Sequence, residues 1–154
     1  LPYYEHKEIG YNYRMSNVMA AIARGQLEVL DERVSRRREI FNTYKNGLAD
    51  MPGLKFMPEG DHSHSNRWLT VMTVDEKAFG AGPEDIRQAL EKENVEARPV
   101  WKPMHMQPVF KDAKMIGGQV CEKLFATGLC LPSGSAMREH EQMRVIDVIK
   151  SVHK

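Results

Sequence analysis

The chain opens with fifteen residues of no periodicity and then changes character at Ser16. Ser16 is a good helix N-cap, because its hydroxyl can accept from an orphan amide of the first turn. Val18, Met19, Ala20, Ala21, Ile22 and Ala23 follow, apolar nearly all round, so this stretch is expected to be buried on most sides. Gly25 is a place to bend. Beyond it Leu27, Leu30, Val34, Phe41, Tyr44 and Leu48 keep a three- and four-residue spacing, which predicts one long or once-bent helix over 16–49, stopped by Pro52-Gly53. Residues 54–57 and 68–74 read as strands, the second rich in β-branched and aromatic residues. Gly80–Pro83 breaks the chain, and Ile86, Ala89 and Leu90 form the stripe of a short helix to about Glu93. A strand at 95–98, a short helix around Val120–Phe125, a brief strand at 129–132 and a final helix capped by Ser135 complete the pattern. Val145, Val148, Ile149 and Val152 are that helix's buried face. Strands that are not adjacent in sequence, interleaved with helices, predict an α+β lobe with helices on one side of a small, mostly antiparallel sheet.

Length and composition narrow the class without naming it. A chain of 154 residues can bury one core, with 42% hydrophobic and 28% charged residues. A formal net charge of +1 gives no bulk electrostatic case for nucleic acid or an anionic membrane. No apolar run approaches the ~20 residues of a membrane helix. Cys121 and Cys130 match no metal or redox spacing and read as reduced thiols of a cytoplasmic protein. The chain begins at Leu1 without a Met, and residues 1–15 read as a loop arriving from a large domain that is absent from it.

Several features invite a chemical reading and do not sustain one. Arg36-Arg37-Arg38 fan over ~200° of a helix, so they form no single nucleic-acid stripe and read as a solvated face. His62 and His64 beside Asp61 lack a second cluster at metal spacing, so no metal site is assigned. Gly117-Gly118 precedes a helix without either nucleotide-binding pattern around it.

Two constellations remain. Tyr11-Asn12-Tyr13-Arg14 sets an amide and a guanidinium at a helix entrance, where both can donate to a phosphate. Residues 99–114 hold Pro99, Pro103 and Pro108, a long stiffened loop with Arg98, Trp101, Lys102 and His105 in or beside it. A cation, an indole and an imidazole there can read a charged or ring-bearing ligand. Neither constellation contains a nucleophile with its base, nor paired carboxylates, so no catalytic residue is assigned.

The run Gly10-Tyr11-Asn12-Tyr13-Arg14-Met15-Ser16-Asn17, with Ala20-Ala21 and Gln26-Leu27, resembles the pyridoxal-phosphate-dependent sugar aminotransferases of the DegT/DnrJ/EryC1/StrS family. The stretch from Arg98 to Phe110 is similar to that family's second hallmark loop, and Leu129–Gly134 to the segment ahead of its last helix. The Trp-Lys-Pro-Met-His and Leu-Pro-Ser-Gly forms look most like enzymes that aminate C4 of UDP-linked 4-keto-6-deoxy-HexNAc sugars. The resemblance implies the carboxy-terminal small domain of an aspartate-aminotransferase-type (fold type I) enzyme, with residues 16–154 as its lobe. It also implies a homodimer that takes a nucleotide-sugar substrate and an amino-acid donor. Asn12 would contact the phosphate of pyridoxal phosphate held by the other subunit. Tyr13 and Arg14 would support that loop or line the shared cleft, and His105, Trp101 and Arg98 would meet the nucleotide-sugar. The family's cofactor-bearing lysine and the aspartate at the pyridine nitrogen lie upstream of the first motif and have no match here. The chain alone is therefore expected to hold no cofactor and to be inactive. The competing expectation is a non-catalytic α+β interaction module that uses the 16–49 helix.

Overall fold

A computed structural model describes residues 2–154. After an extended segment, helix α1 (Asn17–Leu27) and helix α2 (Leu30–Gly47) lead to strand β1 (Leu54–Phe56) and strand β2 (Thr70–Val74). Helices α3 (Glu76–Phe79) and α4 (Pro83–Lys92) follow, then the two-residue strand β3 (Arg98–Pro99) and two 3-10 turns at Met104–Met106 and Pro108–Phe110. Helix α5 (Gln119–Thr127), strand β4 (Gly128–Leu131) and helix α6 (Glu139–Val152) end the chain.

The sheet order is β1-β2-β4-β3 and every pairing is antiparallel, with Phe56 opposite Met72, Met72 opposite Leu129, and Arg98 opposite Cys130. Period-two alternation sets the two faces. Thr70, Met72 and Val74 of β2 are buried while Val71 and Thr73 are half-buried on the other side. The inner face packs on Ile40, Tyr44 and Leu48 of α2, Ile86 and Leu90 of α4, and Val145, Ile146 and Ile149 of α6. Gly47 lets α2 and α6 close up, since a Cβ there would lie 2.8 Å from Ile146 Cδ1. The buried Gln142 amide donates to the Ile40 carbonyl (2.7 Å), and the Tyr44 hydroxyl donates to the Pro132 carbonyl (3.1 Å). Helix α5 buries no residue and stands on the outer side, where Cys121 and Leu124 share a cavity with Val71 and Thr73. This is the α+β arrangement that the hydrophobic pattern predicts, except that α5 lies on the outer face where helices on one side alone are expected.

Four differences from that pattern have physical causes. The expected helix over 16–49 is two helices, broken at Glu28-Val29, where Val29 leaves helical geometry (φ −117°, ψ 14°). Helix α1 is not buried: Val18 is 69% and Ile22 54% exposed. The core is already closed by α2, α4 and α6, so α1's apolar surface has no partner within the described residues. The strand at 95–98 shrinks to Arg98–Pro99 because the exit of α4 uses the preceding residues, with Asn94 at φ +56° and the Val95 amide on the Leu90 carbonyl. Ser135 does not cap α6. It lies in a turn closed from Met137 to Gly134, and Glu141 instead caps the helix by accepting from the Arg138 amide (2.8 Å).

The arginine run also departs from expectation, because it is not a solvated face. Arg36 donates to the Met137 carbonyl (2.9 Å), and Arg37 to the carbonyls of Trp68 and Ser133. Arg38 makes a two-pronged bond to Glu59 (2.8 and 2.9 Å). Arg67, buried and with its guanidinium 3.8 Å above the Phe41 ring, comes within 3.6 Å of the same carboxylate. The three side chains thus tie loops to α2, satisfying carbonyls that the loops leave unpaired. Among the described residues no group of three or more His, Cys, Asp or Glu side chains is placed to hold a metal ion, and no helix is long and apolar enough to cross a membrane.

Candidate functional site

The first constellation lies on the extended entry to α1. Asn12 Oδ1 accepts from the Arg14 amide (2.9 Å), a local turn that holds Arg14 at φ +68°. Ser16 Oγ accepts from the Met19 amide (3.3 Å) and starts the helix as its sequence predicts. With Oδ1 engaged, the exposed Asn12 side chain keeps its NH2 donors without a partner among the described residues. Arg14 makes no side-chain hydrogen bond or ion pair among the described residues, and Tyr13 is 92% exposed. An exposed primary amide and a guanidinium without partners among the described residues suit one anionic group, such as the phosphate of a cofactor. They do not enclose it. The segment fits pyridoxal phosphate as a single contact and supplies no wall on the other side.

The second constellation is split by the structure. Arg98 and Trp101 share a cleft of about 330 Å³ on the outer face of the sheet, with Tyr3, Tyr4, Trp68 and Cys130 among its lining. Trp68 and Trp101 stack, ring centres 5.7 Å apart and 30° from parallel. The Arg98 guanidinium is paired on one edge with Glu96 (Nε to Oε1, 2.6 Å), and its Nη1 donates to the Tyr4 hydroxyl (2.7 Å). Burial pushes the Cys130 thiol up to about 11, so it lines the cleft as an apolar group rather than a nucleophile.

His105 is not in that lining. Its Nε2 meets Glu122 Oε1 of α5 at 2.8 Å, on the far side of the proline loop. Gly118 makes the approach possible: it sits at φ +119°, and a Cβ there would come within 3.2 Å of the His105 ring and 3.3 Å of Glu122. Lys102 turns the other way, to Glu5 (2.7 Å), and that contact holds the Glu5 carboxyl below its ordinary range.

Sequence reading missed Tyr4, Glu96, Glu122 and Gln107, and placed Trp68 only as a strand residue. Trp68 carried a signal, as one of just two tryptophans, here seated just ahead of β2. The others carried none, because each acquires its role from a partner between 2 and 103 residues away.

The chain belongs to the DegT/DnrJ/EryC1/StrS aminotransferase family, whose profile matches residues 2–150. Among curated relatives, it is 54% identical over 151 residues to EpsN of Bacillus subtilis (strain 168), which by its name is classed with the pyridoxal phosphate-dependent aminotransferases. That match takes in 96% of this chain and 38% of the relative. It is 30% identical to the GDP-perosamine synthase of Escherichia coli O157:H7, over 97% of this chain and 40% of the relative. Of solved structures, DesI in the presence of its TDP-sugar product superimposes with TM-score 0.78 at 26% identity, over 89% of this chain and 35% of that one. The aminotransferase TlmJ from Streptoalloteichus hindustanus gives TM-score 0.76 at 25% identity, over 88% and 36%. The chain thus spans about two fifths of the length of the curated relatives it matches.

Proposed function

We propose that this chain is the carboxy-terminal lobe of a cytoplasmic, homodimeric pyridoxal-phosphate-dependent aminotransferase that aminates a keto group of a nucleotide-linked deoxysugar, with an amino acid as donor. The finer reading is C4 of a UDP-linked 4-keto-6-deoxy-HexNAc. The observation that carries the proposal is the family match along residues 2–150, joined to an exposed Asn12–Arg14 segment whose amide and guanidinium donors have no partners among the described residues. When bound, pyridoxal phosphate supplies the electron withdrawal that lets an amino group pass between donor and sugar. This chain's part is binding and orientation. Asn12 donates its side-chain amide to the cofactor phosphate of the other subunit, and Arg14 and Tyr13 form that subunit's cleft rim. Arg98 and Trp101 meet the nucleotide-sugar in the aromatic cleft, Arg98 from within its pairing to Glu96 and Tyr4, while His105, held at Glu122 outside that cleft, reaches the ligand only if it extends past the proline loop. The exposed apolar surface of α1 suits a subunit or domain contact outside the 154 residues.

The test is a chimera with residues 1–154 joined behind the upstream region of EpsN. The chimera is expected to purify as a dimer with bound cofactor absorbing in the visible, and the 154 residues alone to acquire no such absorbance from added pyridoxal phosphate. A lysine-linked chromophore on the 154 residues alone contradicts the lobe assignment, and so does a folded chimera that never takes up cofactor.

A further inference from the structure

The aromatic cleft owes one wall to residues that sequence reading left as featureless loop. Residues 3–6 run as a strap across the proline-stiffened segment, and the strap is tied down at several points. The Val109 amide donates to the His6 carbonyl (3.1 Å), Glu5 pairs with Lys102 (2.7 Å), and Tyr3 meets the Phe125 ring edge-on at 5.6 Å. At the centre of these contacts is Gln107, only 3% exposed. Its Oε1 accepts from the His6 amide (2.8 Å), while its Nε2 donates to the carbonyls of Tyr4 (3.3 Å) and Lys102 (3.2 Å). One buried amide thereby holds both sides of the crossing, the residue that precedes Glu5 and the residue that follows Trp101.

We infer that Gln107 is a positioning residue for the substrate wall: it latches the 3–6 strap so that the Tyr4 hydroxyl aims Arg98 and the Trp101 ring stays stacked on Trp68. The inference rests on the proposed assignment of Arg98 and Trp101 to the nucleotide-sugar. The chemistry is specific to an amide. A leucine of similar size leaves the His6 amide and two carbonyls without partners. A glutamate keeps an acceptor for His6 but, when ionised, turns a carboxylate oxygen toward two carbonyl oxygens. When protonated, its hydroxyl can again donate to one of them.

The experiment uses the 154-residue chain with no ligand, so a failed latch is seen apart from a failed substrate assignment, which only nucleotide-sugar titration of the chimera reads. Because Trp68 and Trp101 are the only tryptophans, their coupled circular dichroism reports the stack alone. In Gln107→Leu this couplet is expected to vanish with the helical signal retained. Hydrogen-exchange protection of the Val109 amide, which bonds to the His6 carbonyl and not to the Gln107 side chain, is expected to fall about 2- to 13-fold, the equivalent of one net hydrogen bond. Gln107→Glu is expected to lose both signals at high pH, where its carboxyl is ionised, and regain them at low pH, with the midpoint above the ordinary Glu value of ~4.3 because burial and the two facing carbonyls disfavour the carboxylate, and with the parent chain unchanged over that interval. A retained couplet with unaltered Val109 protection in Gln107→Leu overturns the latch. Equal behaviour of Gln107→Glu at both pH values overturns the amide's positioning role.

Discussion

Gly118→Ala probes the joint between the proline loop and α5 with a cost that can be worked from the geometry. Gly118 precedes α5 at φ +119°, ψ −28°, a conformation in which an L side chain is strained by about 1–3 kcal/mol. The added methyl would also sit 3.0 Å from Met115 Sδ and 3.2 Å from His105 Cε1, so the ring must yield or the loop must move. For a domain of this size each kcal/mol lowers Tm by about 2–4 °C, which puts the backbone part alone at about 2–12 °C. The neighbour is a built-in control. Gly117 also has positive φ (+73°) but nothing lies within 4 Å of its Cβ position, so Gly117→Ala carries the ordinary left-handed penalty of about 1–2 kcal/mol and no contact. Thermal unfolding measures both costs. Imidazole nitrogen NMR then separates them, because only Gly118→Ala should change the shift of His105 Nε2 held at Glu122. If Gly118→Ala leaves that nitrogen as it is, or if the two variants unfold at the same temperature, the packing argument for His105 is wrong.

Three further outcomes test the rest of the fold. The Arg38 fork, helped by the Ser65 amide and Arg67, holds the Glu59 carboxyl down at about 2. A carboxyl with a lowered folded pKa stabilises above its unfolded pKa and loses that contribution as pH falls, so acid unfolding should weaken the chain between the ordinary carboxylate range and about pH 2. Glu59→Gln should flatten that part of the urea-midpoint-versus-pH curve, and an unchanged curve would refute the fork. Leu90→Ala, at a fully buried position of α4, should cost about 2–5 kcal/mol in urea unfolding with the slope unchanged, whereas Leu27→Ala on exposed α1 should stay within about 0.5 kcal/mol. Ile22→Glu should likewise leave the 154-residue chain as stable as before, yet push the chimera toward monomer on sedimentation; a chimera that still dimerises argues against α1 as the contact.

Much of this architecture is legible from periodicity. β2 is marked by its β-branched residues, which alternate buried and half-buried over Thr70–Val74, and α4 begins where Pro83 suits a first turn. What escapes is whatever depends on a partner. The α1 stretch reads as buried because Val18, Met19 and Ile22 are apolar, but periodicity cannot say whose surface covers them. Arg36–Arg38 read as solvated because the receiving carbonyls belong to Trp68, Ser133 and Met137, far along the chain. The short α3 hides ahead of Gly80, although Asp75 at its start caps it by accepting from the Lys77 amide (3.1 Å). In the candidate site the loop motifs single out segments but not their internal geometry. Arg98 and Trp101 come together, while His105 is drawn away by Glu122, a residue with no signal of its own.

The claim at the centre of the proposed function is that Asn12 completes a cofactor site belonging to another subunit. It is read most directly by titrating pyridoxal phosphate into the apo chimera and its Asn12→Ala variant. A hydrogen bond from a neutral amide to a charged phosphate is worth about 1.5–3 kcal/mol, so the variant's Kd should rise about 10- to 150-fold with the dimer intact. Equal Kd values in two intact dimers would contradict the account.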